Sequence, residues 1–330
     1  MDLSTCYMGL ALKNPLVASA SPLNHHLDQV RLLEDAGVAA LVLPSLFQEE
    51  IEADEARYDR LTSLQDESWS EAATNFPTVA DPLLGPHSYL ALVRDACEAV
   101  DIPVIASLNG ITDAGWIDYS RAIEQAGAAA IELNIYFIPA DIAMPGTEVE
   151  QRYLDVLQAV RAEVSIPIAV KLSPYFSSLG NMALRLQKQG ADALVLFNRF
   201  YQPDIDPVRL EVVTNLALSS PAEIRLPLLW LAILRGRVDC SLAASTGVET
   251  AEEVVKYLLV GADVVMATSA LLRHGAGHAA VLLAGLEKWL EARDFASLEP
   301  MRGIMSQARL GNPKAFERAN YIKILQGYEA

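Results

Sequence analysis

The sequence predicts an α/β fold, a (β/α)8 TIM barrel with an N-terminal hairpin and long loop insertions, on three observations. One phrase recurs four times: EDAGVAALVL, EQAGAAAIELN, KQGADALVLFN and LLVGADVVMAT each join a helix tail, a Gly and a run of small and branched apolar residues. A second phrase sets Pro just before an apolar run, in DIPVIASLN, SIPIAVKLS and the looser RLPLLWL. Both read as helix-to-strand junctions, since Gly ends a helix and Pro enters a strand without needing its N–H. Third, the turns that look able to hold a phosphate lie at the end of the chain, where such a barrel carries them. An open doubly wound sheet fits less well, because no early G-x-G-x-x-G turn is present.

Taken in order, Thr5–Leu12 reads as a short hairpin closing the bottom of the barrel. Strands follow near Leu16–Ser21, Ala39–Ser45, Pro103–Asn109, Ala129–Tyr136, Pro167–Ser173, Ala193–Asn198, Cys240–Thr246 and Asp263–Ser269, the eight that closure requires. Two connections, Leu46–Ile102 and Arg199–Asp239, are too long for plain βα loops and read as lids or substrate walls. The acidic QEEIEADEARYDR in the first reads as a solvated helix face. Gly277–Phe295 makes an outer helix, and Leu298–Leu325 adds helical turns interrupted by Gly311–Pro313. Residues 1–330 form one barrel domain with a C-terminal helical extension over about 296–330, the one-domain size being usual for such barrels.

Composition narrows the function. With 25 Lys and Arg against 42 Asp and Glu, the net charge of −17 opposes polyanionic partners, so neither nucleic acid nor an anionic membrane is expected. The N-terminus lacks a basic, apolar leader, and the reading is a cytoplasmic protein. Cys6, Cys97 and Cys240 have no metal-ligand spacing and read as packing residues. No metal site is expected.

Leu242–Gly275 carries the phosphate-like turns. Gly247 can let backbone approach a ligand, Thr250 with Glu253 makes a capping box, Gly261 ends the helix, and Thr268 and Ser269 open a short helix with N–H groups able to face an anion. Strand alternation supplies the rest. With Ile168, Val170 and Leu172 facing the helices, Ala169, Lys171 and Ser173 point inward, and likewise Glu132, Asn134 and Tyr136. Ser107 and Asn109 share a face, and Asn198 closes the sixth strand. An inward ammonium at Lys171 needs an answer: it steadies charge on a cofactor ring, forms a Schiff base, or pairs with Glu132. The asparagines suit the outline of a flat, heteroatom-rich ligand, or serve as strand-end turn residues.

The order of GLALKNPLVASASPL, DIPVIASLNG, AAIELN, PIAVKLSPYF, ALVLFN and the phosphate stretch, over nearly the whole chain, resembles the dihydroorotate dehydrogenase family of FMN-dependent barrels. The resemblance implies Ala20 and Ser21 against the flavin and Ser45 meeting it from the second strand. It implies Asn109 and Asn134 bonded to ring or substrate, Lys171 beside N1 and the C2 carbonyl, and the phosphate on Thr246, Gly247, Thr268 and Ser269. Asn198 and Asn75 would take the substrate. Thr246 and Thr268 replace family glycines. Asn134-Ile135-Tyr136-Phe137-Ile138-Pro139 lacks the family's Cys or Ser base, and Pro44-Ser45 stands where the family has Lys-Ser. The expected function is an FMN oxidoreductase acting on a planar or cyclic, pyrimidine-type substrate, with dihydroorotate turnover impaired. Tyr136 is the candidate acid and Lys171 the other catalytic candidate, with His25 and His26 behind them. Two other readings stand beside it: an FMN-binding electron-transfer or regulatory subunit, and a Schiff-base lyase using Lys171. An electron-transfer protein partner and a homo-oligomer are both compatible with the chain.

Overall fold

The computed structural model describes residues 1–50, 86–110, 114–199, 202–213, 216–311, 316 and 325–327. A hairpin, β1 (Thr5–Tyr7) and β2 (Leu10–Leu12), leads into the first barrel strand, β3 (Leu16–Ala18). There follow α1 (Leu27–Asp35), β4 (Ala40–Phe47), α2 (Pro86–Ala99), β5 (Val104–Asn109), α3 (Ala114–Gln125), β6 (Ala130–Asn134), α4 (Gly146–Glu163), β7 (Ile168–Leu172), α5 (Leu179–Gln189) and β8 (Ala193–Leu196). A second hairpin, β9 (Asp204–Asp206) and β10 (Glu211–Val213), precedes α6 (Arg225–Leu234), β11 (Ser241–Ala244), α7 (Ala251–Val260), β12 (Val264–Ala267), α8 (Ser269–His274) and α9 (His278–Glu291). The strands β3 to β8, β11 and β12 are parallel and close into a barrel. All eight expected strands are present, each starting within a residue or two of its expected position.

The alternation read from the strands is the alternation observed. Ile131, Leu133, Ile168, Val170 and Leu172 belong to the layer between barrel and helices. The interior holds small residues, Ala40, Ala130, Ala169, Ala193 and Ala243, with Val17, Val42, Val195 and Met266. Alanines leave space at the lower end, and the N-terminal hairpin fills it with Tyr7, Met8 and Leu12, all buried. Asp263 ties that end together: it accepts bonds from Leu242 N at 2.9 Å, Arg235 at 2.9 Å and Arg302 at 3.3 Å, while the Thr5 hydroxyl donates to its carbonyl at 3.0 Å.

Three expectations need amendment, at RLPLLWL, at the Pro86 end of the first long connection and at the C-terminal turns. RLPLLWL is not a strand entry but the helix α6; Pro227 sits in its first turn, where a missing N–H breaks no helical bond. The end of the long Leu46–Ile102 connection is helical from Pro86, and buried Tyr89 bonds both the N–H and the carbonyl of Ser107. The Arg199–Asp239 connection holds β9, β10 and α6 besides loop. From Leu298 to Leu310 the chain runs as hydrogen-bonded turns in place of regular helix. Among the described residues, no helix is long and apolar enough to cross a membrane.

Gly261 tests the frame. It ends α7 at φ 116°, and a Cβ there would lie 2.4 Å from Cγ of Arg235, the residue that pairs with Asp263. Left-handed strain and this clash together predict that Gly261→Ala loses about 2 kcal/mol or more. Urea unfolding measures it; a loss below a few tenths would contradict the packing described.

Candidate active site

Two adjoining recesses open at the C-terminal ends of the barrel strands. The smaller, about 250 Å³, lies between the ends of β3, β11 and β12 and is bordered by Ala20, Ser21, Lys171, Asn198, Thr246, Gly247, Thr268 and Ser269. The larger, about 580 Å³, is bordered by Asn109, Asn134, Tyr136, Tyr175 and Asn198. Phe197, Asn198, Arg199, Leu216 and Thr246 border both, so the two recesses share a wall. The larger is by itself within the range of ligand pockets.

Register explains which polar groups meet. Across β4 to β7, Phe47, Asn109, Asn134 and Lys171 pair at one level, and Ser45, Ser107, Glu132 and Ala169 at the level below. Irregular pairing between Val42 and Ser45 brings β4 into this register, at Pro44, which has no N–H to give a ladder. On the upper level Asn198 donates to Asn134 Oδ1 at 2.5 Å, and Asn134 Nδ2 donates to Ser45 Oγ at 3.4 Å. Ser45 and Ser107 share a hydroxyl bond of 2.8 Å. Ser45 therefore supports Asn134 from beneath, and it does not border either recess.

Lys171 is 8% exposed, and its Nζ donates to Glu132 Oε1 at 3.1 Å and to Ser19 Oγ at 3.4 Å. The pairing with Glu132 is thus present, and Lys171 also borders the smaller recess. An ammonium committed to an ion pair has no lone pair for a carbonyl, which weighs against the Schiff-base reading.

The turns after β11 and β12 are knitted together by a residue the motifs did not flag. Gly247 N–H donates to Ser219 Oγ at 3.1 Å, Ser219 Oγ lies 2.8 Å from Ser269 Oγ, and Ser219 N donates to that same oxygen at 3.0 Å. Gly247, at φ 73°, is required by protein packing: a Cβ would meet Ile224 Cγ2 at 2.6 Å and Ser220 O at 2.7 Å. Its close approach is to this turn, in addition to any ligand. Thr246 has φ 81°, unusual for a β-branched residue. It is held there by Tyr257, whose hydroxyl donates to its carbonyl at 2.7 Å. The Ser220–Glu223 capping box is the sequence signal that marks this turn. Behind it, Arg273 donates to Ser219 O at 2.8 Å and pairs with Glu249, which also meets His274 at 2.7 Å.

The remaining candidates are placed as follows. Tyr136 borders the larger recess. On the same loop, the Phe137 ring lies under the Arg152 guanidinium at 4.0 Å, and Asp141 accepts from Ala143 N at 2.9 Å. His25 and His26 border neither recess; burial and the neighbouring His26 hold His25 below the usual imidazole range. Cys6 is exposed and Cys97 partly buried, and burial pushes the Cys240 thiol up to about 12. Asn75 lies outside the described residues. No group of His, Cys, Asp or Glu suited to a metal occurs among the described residues.

The bond from His274, with Arg273 beside it, holds the Glu249 carboxyl below the usual carboxylate range. A depressed folded value means stability that is full at neutral pH and is lost as pH falls from about 4.3 through that value. Glu249→Gln should therefore cost on the order of 1 kcal/mol at pH 7, shrinking toward zero in acid. Urea midpoints against pH measure this, and a pH-independent difference would contradict the pairing.

No family model matches the chain. Over 92% of its length it is 25% identical to the catalytic subunit of dihydroorotate dehydrogenase B (NAD(+)) of Thermoplasma acidophilum, of which the match covers 98%. Over 92% of its length it is 23% identical to the NAD-dependent dihydropyrimidine dehydrogenase subunit PreA of Escherichia coli, covering 76% of that protein. A 29% match to the dihydroorotate dehydrogenase B catalytic subunit of Cutibacterium acnes covers 63% of the chain and 69% of that protein. The chain is a relative of the dihydroorotate dehydrogenases and of the related PreA subunit, as the order of its motifs implies.

Proposed function

We propose that the chain is an FMN-dependent oxidoreductase acting on a CH–CH bond of a small, planar or cyclic, pyrimidine-like substrate. The observation that carries this reading is the gathering, around two adjoining recesses at the barrel's C-terminal face, of Lys171, strand-end asparagines and two glycine- and serine-bearing turns. Relatives named as dehydrogenases match the chain over 92% of its length. The residues fit the cofactor. The hydroxyls of Ser219 and Ser269 already converge, with Gly247 N–H donating to the first, and rotation of the hydroxyl hydrogens turns them toward a phosphate held by Thr246, Gly247, Thr268 and Ser269. Ala20 and Ser21 flank the ring, Asn109 borders it from the larger recess, and Ser45 steadies Asn134. Lys171 offers a cation to the ring's pyrimidine edge. One phosphate seat without a dinucleotide fingerprint favours FMN over FAD. Bound FMN supplies two-electron exchange with the substrate carbon.

In the larger recess Asn134 and Asn198 orient the substrate, with Asn75 as a further candidate. Tyr136 handles the proton. Phenols give protons more readily than they take them at neutral pH, so reduction of an activated double bond suits this site better than oxidation of dihydroorotate. Phe137 and Asp141 on the same loop are engaged elsewhere. The names of two relatives, a catalytic subunit and subunit PreA, favour a second element: electrons passing to a protein partner.

Cofactor extraction with anaerobic stopped-flow mixing tests the reading. We expect FMN, with dihydroorotate bleaching it at least about 10²-fold below the 1–10³ per second typical of enzymes. FAD or no flavin would overturn the cofactor assignment. Bleaching by dihydroorotate at an ordinary enzymatic rate would show that another residue is the base.

A further inference from the structure

The floor beneath the cavity carries a charge arrangement that cofactor binding leaves unexplained. Glu132 is 1% exposed, and only its Oε1 is engaged, by Lys171. Its Oε2 has no hydrogen-bond partner among the described residues, nor has the hydroxyl of Tyr7 from the hairpin plug. The two share one electrostatic neighbourhood: burial, and then the charge of Glu132, pushes the Tyr7 hydroxyl well above its usual range. A sealed carboxylate with an idle oxygen is costly. Packing alone would be served better by an aliphatic residue, as at the neighbouring interior positions Ala130, Ala169 and Val195. Lys171 borders the cavity and Glu132 does not, and Glu132 pairs at the level below. The carboxylate therefore lies behind the ammonium as seen from the cavity.

We infer that Glu132 is a positioning residue that holds the Lys171 ammonium at the cavity floor and offsets its charge, and so sets how strongly the site favours the reduced over the oxidised form of a bound flavin. The inference rests on the FMN reading above. Charge this deep is poorly screened by salt, so its effect reaches the cavity. A negative group behind Lys171 opposes added negative charge on the ring; neutralising it strengthens the preference for the reduced form.

The test is the midpoint potential of the flavin-loaded full chain, titrated anaerobically against a reference dye. Glu132→Gln keeps the size and still accepts a bond from Lys171, so a purely structural role predicts no change. We expect the reduced form to gain tenfold or more over the oxidised, an upward shift of about 30 mV for a two-electron couple. Glu132→Asp, which keeps the charge, should stay within threefold of wild type. Should Glu132→Gln fold poorly, a second pair decides: Lys171→Met should lower the potential by leaving the carboxylate unanswered, and adding Glu132→Gln should reverse most of that fall. An unchanged or lowered potential in Glu132→Gln with flavin bound, or a double variant no different from Lys171→Met, overturns the inference. Protein without flavin absorbance before titration overturns the FMN reading, and this inference with it.

Discussion

A cation brought inside a barrel must be answered from within, and at Lys171 that demand shapes everything around it. Taking an ammonium out of water costs several kcal/mol unless a partner of good geometry meets it. Glu132 supplies that partner from the adjacent strand, with Ser19 as a longer contact. The pairing also fixes register: Asn134 stands opposite Lys171 and Glu132 opposite Ala169. A slip of one residue would turn Lys171 and Glu132 toward the helices and bring Val170 and Leu133 inward. The apolar shell and the ion pair thus specify the same alignment.

The barrel's two ends divide stability from chemistry. At the lower end the alanine-lined interior receives the hairpin, and Asp263 gathers Arg235, Arg302 and Thr5, binding the N-terminus, α6 and the C-terminal turns to one strand. At the upper end polar side chains point into an open cavity, supported mostly by one another: Asn198 on Asn134, Asn134 on Ser45, Ser45 on Ser107. Such a chain of bonds holds the amide groups in one orientation and leaves their remaining donors and acceptors for a ligand.

Much of this was legible in the sequence, for physical reasons. Period-two alternation separates Ile168, Val170 and Leu172 from Lys171 without reference to any partner strand, and glycine at four helix ends marks the approach of β4, β6, β8 and β12. Pro227 misled because proline suits the first turn of a helix as well as a strand entry. The role of Ser219 was not legible: it lies 28 residues from Gly247 and 50 from Ser269 along the chain, and no local pattern encodes that meeting. The same holds for Tyr7, whose place beneath Glu132 depends on how the hairpin plugs the closed barrel. For Lys171 the sequence offered a cofactor cation, a Schiff base or a pair with Glu132; the pair is present, on a residue that also faces the cavity.

The account stands or falls on where Lys171 points when the cavity is filled. A crystal structure of the protein as purified measures this directly. The account predicts FMN with the pyrimidine edge of its ring within about 3 Å of Lys171 Nζ, Glu132 behind that nitrogen, and the phosphate against Gly247 and Ser269. A ring turned away from Lys171, a phosphate seated elsewhere, or a covalent adduct on Nζ would contradict it.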